Sequence, residues 1–406
     1  MQEALLYALA KGVPGALGLL AVVIFIRLVG STQFGIYAIA LAAVGMWSSF
    51  ASGWFYQGIL RYYSSWRTTP SLLRQFLARG IAVCVVTYVA AYLGQLAWGI
   101  HDHTWGNIGA ALLLGVVIMA QTVALSCWQS ELLAKVVLRV ELVRALATFG
   151  FSCFFAAWIS NTATSLLWGA ALGYAVSFVA GRAPSVPPPP AGEAHDPLLA
   201  QAWLYGWPLS FWFLAQLSFA WLDRVMIEDR FGLQATGIFA SLSEVLTRSF
   251  SLAIYPLTIA AYPRLAAAWN HGKFSAAKRL LRLALLVGVG ASVVVVALFH
   301  YSQVYWIGKL LPHEGPDFIQ SAPFLVLTLA AGGAMWQLAL LAHKPLELQS
   351  RTGVMLVAML GALLIKIAGN HFGLTWWGIT GPAAATVGAG GVYAAACLVT
   401  ARFSSS

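Results

Sequence analysis

The sequence predicts an all-α integral membrane protein of about twelve transmembrane helices in two parallel six-helix repeats, on three observations. Hydrophobic residues fill 60% of the 406 positions and charged residues only 9%, with a mean hydropathy of +0.79. A soluble domain carries roughly 25% charged residues. The apolar residues fall in blocks of about 18 to 25, the length a helix needs to cross a roughly 30 Å hydrocarbon layer. Finally, a glycine signature near the N-terminus returns half a chain later.

Taken in order, the blocks place helices near 5–29, 36–60, 78–100, 107–128, 145–160, 164–181, 203–223, 236–258, 282–302, 320–342, 353–370 and 378–400. The fifth and sixth are short and share the turn "SNTATS", so ten or eleven spans also fit. Helix 1 contains Pro14 in "KGVPG" and helix 7 contains Pro208 in "YGWPL"; a proline inside a helix kinks it or opens its hydrogen-bond ladder. The N-terminal run has Lys11 and Pro14 inside it and a full span directly after it. It therefore reads as the first membrane helix and not as a cleaved signal. Cys84, Cys127, Cys153 and Cys397 lie in or beside apolar blocks, with the spacing of neither a disulfide framework nor a metal site, and read as small core hydrophobes.

The net charge of +10 does not point to nucleic acid, because the basic residues sit in short stretches between apolar blocks. With the N-terminus in the cytoplasm, seventeen of the 23 Lys and Arg residues fall on the cytoplasmic side. Arg27, Arg224, Arg230 and Lys309 fall on the other side, and Arg248 and Lys366 fall inside spans. This asymmetry predicts both termini inside and an even number of spans. The proline-rich stretch "GRAPSVPPPPAGEAHDP" lies near the midpoint on the same side. Its prolines favour extended structure without donors, so it reads as a linker. The expected organisation is an N-terminal lobe 1–181, a linker 182–202 and a C-terminal lobe 203–406.

The repeat is legible in "GSTQFGIYA" (30–38) and "GLQATGIFA" (232–240), offset by 202 residues. Gly30 and Gly232 each end a helix, where a left-handed glycine is the usual stop. Gly35 and Gly237 each begin the next, where a missing side chain lets backbones approach. "KGVP" and "YGWP" correspond upstream with an offset of 194. Six spans separate the copies, so both run the same way through the membrane, as in a parallel repeat.

"YALAKGVPGALGLLAVVIFIRLVGSTQFGIYAIALA" resembles the first helical hairpin of O-antigen-flippase-type polysaccharide-biosynthesis proteins, within the multidrug/oligosaccharidyl-lipid/polysaccharide exporter superfamily. "AWLDRVMIEDRFGLQATGIFAS" is similar to that family's seventh and eighth helices, and "YPRLAAAWNHGKFSAAKRLLR" resembles the basic segment after helix 8. The resemblance implies two six-helix bundles around a central cavity that opens alternately to either side of the bacterial cytoplasmic membrane. It implies flipping of a polyprenyl-diphosphate-linked oligosaccharide between leaflets, beside other polysaccharide-assembly membrane proteins. Lipid II flippases of the superfamily usually have two further helices. The alternative within the superfamily is a cation-coupled multidrug antiporter; such carriers tend to hold acidic residues in the first half, where no acidic residue falls within an expected span. An integral-membrane glycan transferase is a third reading, and the short loops speak against it.

Candidate site residues follow from charge inside the membrane, which is costly and usually faces a cavity or partner. Arg248 lies about 16 Å along helix 8 from Gly237 by helix rise, near the middle of the core, and is the expected contact for a lipid diphosphate. Lys366, Lys11 and Arg27 are further candidate cavity cations. Arg27 and Lys366 lie within snorkelling reach of the outer interface, and Lys11 also fits the inner interface. Glu244 shares a helix face with Arg248 and is a candidate for proton or sodium coupling, or a structural partner. Asp223 and Arg224 read as an interfacial charge pair at the outer mouth of helix 7. Trp207 and Trp212 are candidates for sugar stacking, while Trp203 and Trp221 suit the membrane interface. His101, Asp102 and His103 read as a solvated turn. No enzyme constellation, metal site or cofactor site is expected.

Overall fold

The computed structural model describes residues 2–66, 70–97, 105–181, 197–312 and 314–401, and among these all regular structure is helical. In hydrocarbon each helix satisfies its own backbone, which is why a chain this apolar resolves into helices. The elements are α1 (Gln2–Trp66), α2 (Pro70–Ala97), α3 (Trp105–Ser130), α4 (Ala134–Trp158), α5 (Ala163–Ser177), α6 (Pro197–Asn270), α7 (Phe274–Tyr301), α8 (Gln303–Leu310), α9 (Gly315–Ser321), α10 (Leu325–Ala342), α11 (Lys344–Leu348), α12 (Thr352–Trp377) and α13 (Gly381–Thr400). The "HDHT" turn at 101–104 and residues 182–196 of the proline-rich stretch lie outside the described residues; from Pro197 the chain is helical.

Eight segments are long and apolar enough to cross a membrane, and two of these, Gly12–Tyr63 and Thr352–Thr400, are of double length. The first is broken at Gly30 and the second between α12 and α13. The two arms of α6 on either side of Gly232 bring the described crossings to twelve. The protein is thus a multi-pass, all-helical membrane protein. α6 is not among those eight, and its arms carry Asp223, Arg224, Glu228, Asp229, Arg230, Glu244 and Arg248.

The two elbows are built alike. Gly30 has φ 77°, ψ 165° and Gly232 has φ 80°, ψ 172°. The sequence predicted left-handed glycine stops, but ψ near 170° lies outside the left-handed helical region, in a positive-φ extended region that is essentially glycine-only. Each elbow therefore joins two helices with no loop at all. The chain stays helical through Pro14 and Pro208, and within α1 and α6 the non-helical backbone falls at the two glycines. A Cβ on Gly35 would lie 2.4 Å from the Leu233 carbonyl oxygen, and one on Gly237 would lie 1.8 Å from that of Ser31. Leu233 is 202 residues after Ser31, as Gly237 is after Gly35. The contact is therefore reciprocal, i to j and j to i, the mark of a two-fold relation.

By contacts the chain forms two compact units, Met1–Gly18 with Ile36–Trp221, and Leu19–Gly35 with Leu222–Ser406. In the first, small residues set the spacing. Gly169 and Gly173 of α5 lie on the backbone of Ser152 and Thr148 of α4, and the Ser152 hydroxyl donates to the Leu166 carbonyl at 3.0 Å. Gly206 of α6 lies on the backbone of Trp54 in α1, whose amide donates to the Ser210 hydroxyl at 2.7 Å. Such close approach recovers the dispersion energy that lipid does not supply. In the second unit Gly373 of α12 meets Gly381 of α13 in the same way. The turns before α4 and α12 share one geometry. Leu132 (φ 58°) and Ser350 (φ 54°) precede caps at φ −82°, ψ 59° and φ −88°, ψ 53°.

Among the span boundaries that differ from expectation, three bear on buried charges. α4 begins at Ala134 and not near 145, because Lys135, Arg139, Glu141 and Arg144 lower its local hydropathy while remaining helical. Helix 7 runs on to the Gly232 elbow, past its expected end at 223. Helix 11 runs to Trp377, past its expected end at 370.

Candidate functional site

The second unit gathers ionised groups from the two arms of α6. Glu244 accepts from Arg224 Nη2 at 2.7 Å through Oε1 and from Arg248 Nε at 2.9 Å through Oε2. One carboxylate thus holds two guanidinium groups and the triad carries a net charge of +1. The partners differ in exposure. The Arg224 side chain is 6% exposed and the Arg248 side chain 35%. Arg248 uses only Nε toward Glu244, and among the described residues no protein acceptor is found for its Nη1 and Nη2. Its forked edge is therefore presented outward. A guanidinium edge of this kind matches two oxygens of a phosphate or carboxylate.

A second network lies at similar depth. Lys366 of α12 is fully buried, and its ammonium donates to Asp223 Oδ1 at 2.5 Å, Thr386 Oγ1 at 2.6 Å and the Pro382 carbonyl at 2.7 Å. Three donors meet three acceptors, which is the full capacity of an ammonium group. The amide of Asn370, one turn further along α12, donates to the same Asp223 oxygen at 2.8 Å. By helix rise Lys366 lies about 16 Å from the end of α12 and Asp223 about 14 Å from the Gly232 elbow.

The structure corrects several expectations. Asp223 and Arg224 are not an exposed interfacial pair; both are buried, one bound to Lys366 and the other to Glu244. They lie two to three turns deep because helix 7 continues past them. Lys366 does not snorkel, since three helices enclose its amine. As a candidate cavity cation it is held by Asp223 and is not open to an incoming anion. Arg27 is exposed and donates to the backbone carbonyl of Lys309 in α8, at the same end of the bundle as the Gly30 elbow. Lys11 belongs to α1, and its side chain lies outside the described residues. Trp207 is 40% exposed, edge-on to Phe211, whereas Trp212 is only 6% exposed and packs edge-on against Phe213. Trp212 therefore has no free ring face for a sugar. Glu244 is not the only carboxylate deep in a span. Glu141 of α4 is 4% exposed and bound to Arg144 at 2.6 Å, with the guanidinium over Tyr174 at 5.2 Å.

Sequence reasoning missed Arg224, Asp223 and Glu141 as site residues because it ended helix 7 and began helix 5 at the hydropathy edge. The available signal was the repeat itself. Helix 1 reaches Gly30 through its last apolar residues, so helix 7 should reach Gly232 even through charged ones.

No protein-family model matches the sequence, and no curated protein matches it significantly. Solved structures do match its fold. The lipid II flippase MurJ in an inward closed conformation superposes with a TM-score of 0.76 at 12% identity, over 98% of this chain and 87% of that one. An inward-facing multidrug resistance MATE family transporter of the MOP superfamily gives 0.71 at 13% identity, over 95% and 93%. The eukaryotic MATE transporter AtDTX14 gives 0.63 at 13% identity, over 99% and 94%. The fold is the one seen in these solved transporter structures. Its two parallel six-helix repeats account for the matched elbows at Gly30 and Gly232.

Proposed function

We propose that this chain is a flippase that carries a polyprenyl-diphosphate-linked oligosaccharide across the bacterial cytoplasmic membrane by alternating access. Both termini and the proline-rich linker lie in the cytoplasm in this reading, and the residues 1–181 and 203–406 act as the two lobes. The observation that carries it is Arg248: a guanidinium fork deep in a membrane helix, anchored through Nε and open at Nη1 and Nη2. Arg224 sits behind Glu244, so Arg248 shares its carboxylate with a second guanidinium and keeps donors for an incoming anion. A diphosphate bearing two or more charges satisfies those donors and the fork geometry together. The sugars and diphosphate travel through the protein while the polyprenyl tail stays in lipid. Trp207, with its exposed ring, remains the aromatic residue suited to a sugar face, and Lys11 and Arg27 remain candidate cations along the route.

A second reading is supported by Glu141. The buried carboxylate it adds to the first half removes one argument against a cation-coupled multidrug antiporter of the same fold. The experiment that separates the two uses proteoliposomes and two probes, a fluorescent polyprenyl-diphosphate oligosaccharide and a fluorescent lipophilic cation. A flippase translocates the first, and Arg248→Ala abolishes this while Arg248→Lys keeps part of it. Transport of the cation alone, unaffected by Arg248→Ala, would replace the flippase reading with the antiporter.

A further inference from the structure

The end of α10 carries a histidine that neither charge network uses. His343 is 2% exposed, and both ring nitrogens are engaged. Nδ1 lies 3.0 Å from the Tyr393 hydroxyl and Nε2 lies 2.9 Å from Glu347 Oε1. Glu347 also receives the Lys344 ammonium at 2.7 and 2.9 Å, and Lys344 lies over the Tyr262 ring of α6 at 5.3 Å. Tyr393 stacks on Trp336 with ring centroids 6.2 Å apart and hydrogen-bonds the Cys397 thiol one turn along α13. One imidazole thus joins the end of α10 to α11 and α13. Among the described residues, the charged and titratable groups facing it include Glu347 and Lys344 from α11, and Tyr393 with Cys397 behind it from α13; Tyr262 lies on the far side of Lys344.

This arrangement is complete at two proton counts. With a neutral ring, Nε2–H donates to Glu347 and Nδ1 accepts the Tyr393 hydroxyl proton. With one proton added at Nδ1, both ring nitrogens donate. The Tyr393 oxygen then becomes an acceptor, and its own proton turns to the Cys397 sulfur. In both states the two ring nitrogens and the Tyr393 hydroxyl keep hydrogen-bond partners. Histidine is the side chain whose ordinary range makes such a change between pH 5 and 8. Glu347 and Lys344 cancel, so the cluster passes from neutral to +1 inside the protein. The reversal acts on α13, where Thr386 lies seven residues before Tyr393, about two turns away on the same face. Thr386 and Pro382 are the α13 groups that hold Lys366 and, through it, Asp223 of α6.

We propose that His343 is the binding site of a coupling proton, taken up at Nδ1, which turns Tyr393 from donor to acceptor and biases the helix that anchors the Lys366–Asp223 pair. The proposal names the coupling ion of the transporter and rests on the transport reading above. Glu244 is a poor candidate for the same task, because both of its oxygens are occupied by guanidinium groups.

Two measurements test it separately. In nitrogen-15 histidine spectra of the purified protein in nanodiscs, one ring should gain a proton at Nδ1 as the pH is lowered, and that signal should vanish in His343→Gln. A His343 ring that stays in one protonation state down to the pH at which the protein unfolds overturns the proposal, whatever the protein transports. In proteoliposomes holding the fluorescent polyprenyl-diphosphate oligosaccharide, one coupled proton per cycle predicts about tenfold accumulation per unit of pH gradient. His343→Gln should reduce this to none while leaving downhill movement intact. Tyr393→Phe keeps the ring and removes the hydroxyl relay, so it should retain the titration and lose the accumulation. Gradient-driven accumulation that persists in both variants overturns the proposal. Absence of any lipid movement in the wild type would remove the flippase reading, while the spectra would still decide the proton site.

Discussion

Replacing Lys366 with methionine tests the charge network most sharply. The substitution keeps much of the side-chain volume and removes the ammonium. It deletes three hydrogen bonds, to Asp223 at 2.5 Å, Thr386 at 2.6 Å and the Pro382 carbonyl at 2.7 Å. Asp223, 7% exposed, is left with the Asn370 amide. Breaking a buried pair from one side costs about 3–5 kcal/mol, because the surviving charge loses its counter-ion where water cannot replace it. Asp223→Asn should cost a similar amount, leaving the ammonium with two neutral acceptors. The double variant removes both charges and forfeits only hydrogen bonds worth about 1 kcal/mol each, so it should be more stable than either single one. The coupling should then exceed by several-fold the roughly 0.5 kcal/mol scatter of independent sites. Unfolding in mixed micelles, followed by tryptophan fluorescence, gives the four free energies. If Lys366→Met unfolds within about 1 kcal/mol of the wild type, or if the two single costs simply add, the lysine is not the buried partner that the geometry describes. A snorkelling lysine would give the first of these results.

Three further outcomes follow from particular contacts. Gly237→Ala should destabilise by about 1–3 kcal/mol, because its Cβ would meet the Ser31 carbonyl oxygen at 1.8 Å, whereas Gly45→Ala, with nothing within 4 Å, should change little; equal melting temperatures for the two would contradict the close approach. Glu244→Gln should lower stability by about 1–3 kcal/mol, since two guanidinium groups lose their shared carboxylate, and it should strengthen binding of a soluble diphosphate probe; weaker binding would show that Glu244 is needed to shape the fork. Cysteines placed at Ser185 and Ser405, in a background lacking the four native cysteines, should resist an impermeant label applied from outside the cell, and labelling of either would reverse the topology.

Much of the architecture was legible before the structure. Most of the crossing count follows from apolar block length, because a segment of sufficient length and hydropathy partitions as a helix whatever its neighbours are, and the glycine repeat marks the two arms of α6. The elbows at Gly30 and Gly232 and the close approach at Gly35 and Gly237 were legible too, since each depends on a missing side chain that sequence reports directly. The geometry of the elbow was not. A glycine permits several positive-φ conformations, and the packing of the two arms selects φ near 80° with ψ near 170°.

The same division separates the charges. Sequence by itself determined that Glu244 and Arg248 share a face, because four residues make about one helical turn. It placed Arg248 deep in the membrane for the same reason. Only the tertiary structure decided the rest. It set Arg224 against Glu244 across the Gly232 elbow, Lys366 against Asp223 at a separation of 143 residues, and His343 against Tyr393 at a separation of 50. Hydropathy and periodicity are properties of one helix at a time, and they end a span where its own residues become polar. A charge becomes affordable in the membrane only when another helix brings the opposite charge or an oxygen to within about 3 Å. That partner is fixed by how the helices pack, and so the polar ends that sequence reads as interface became, in α4, α6 and α12, the interior.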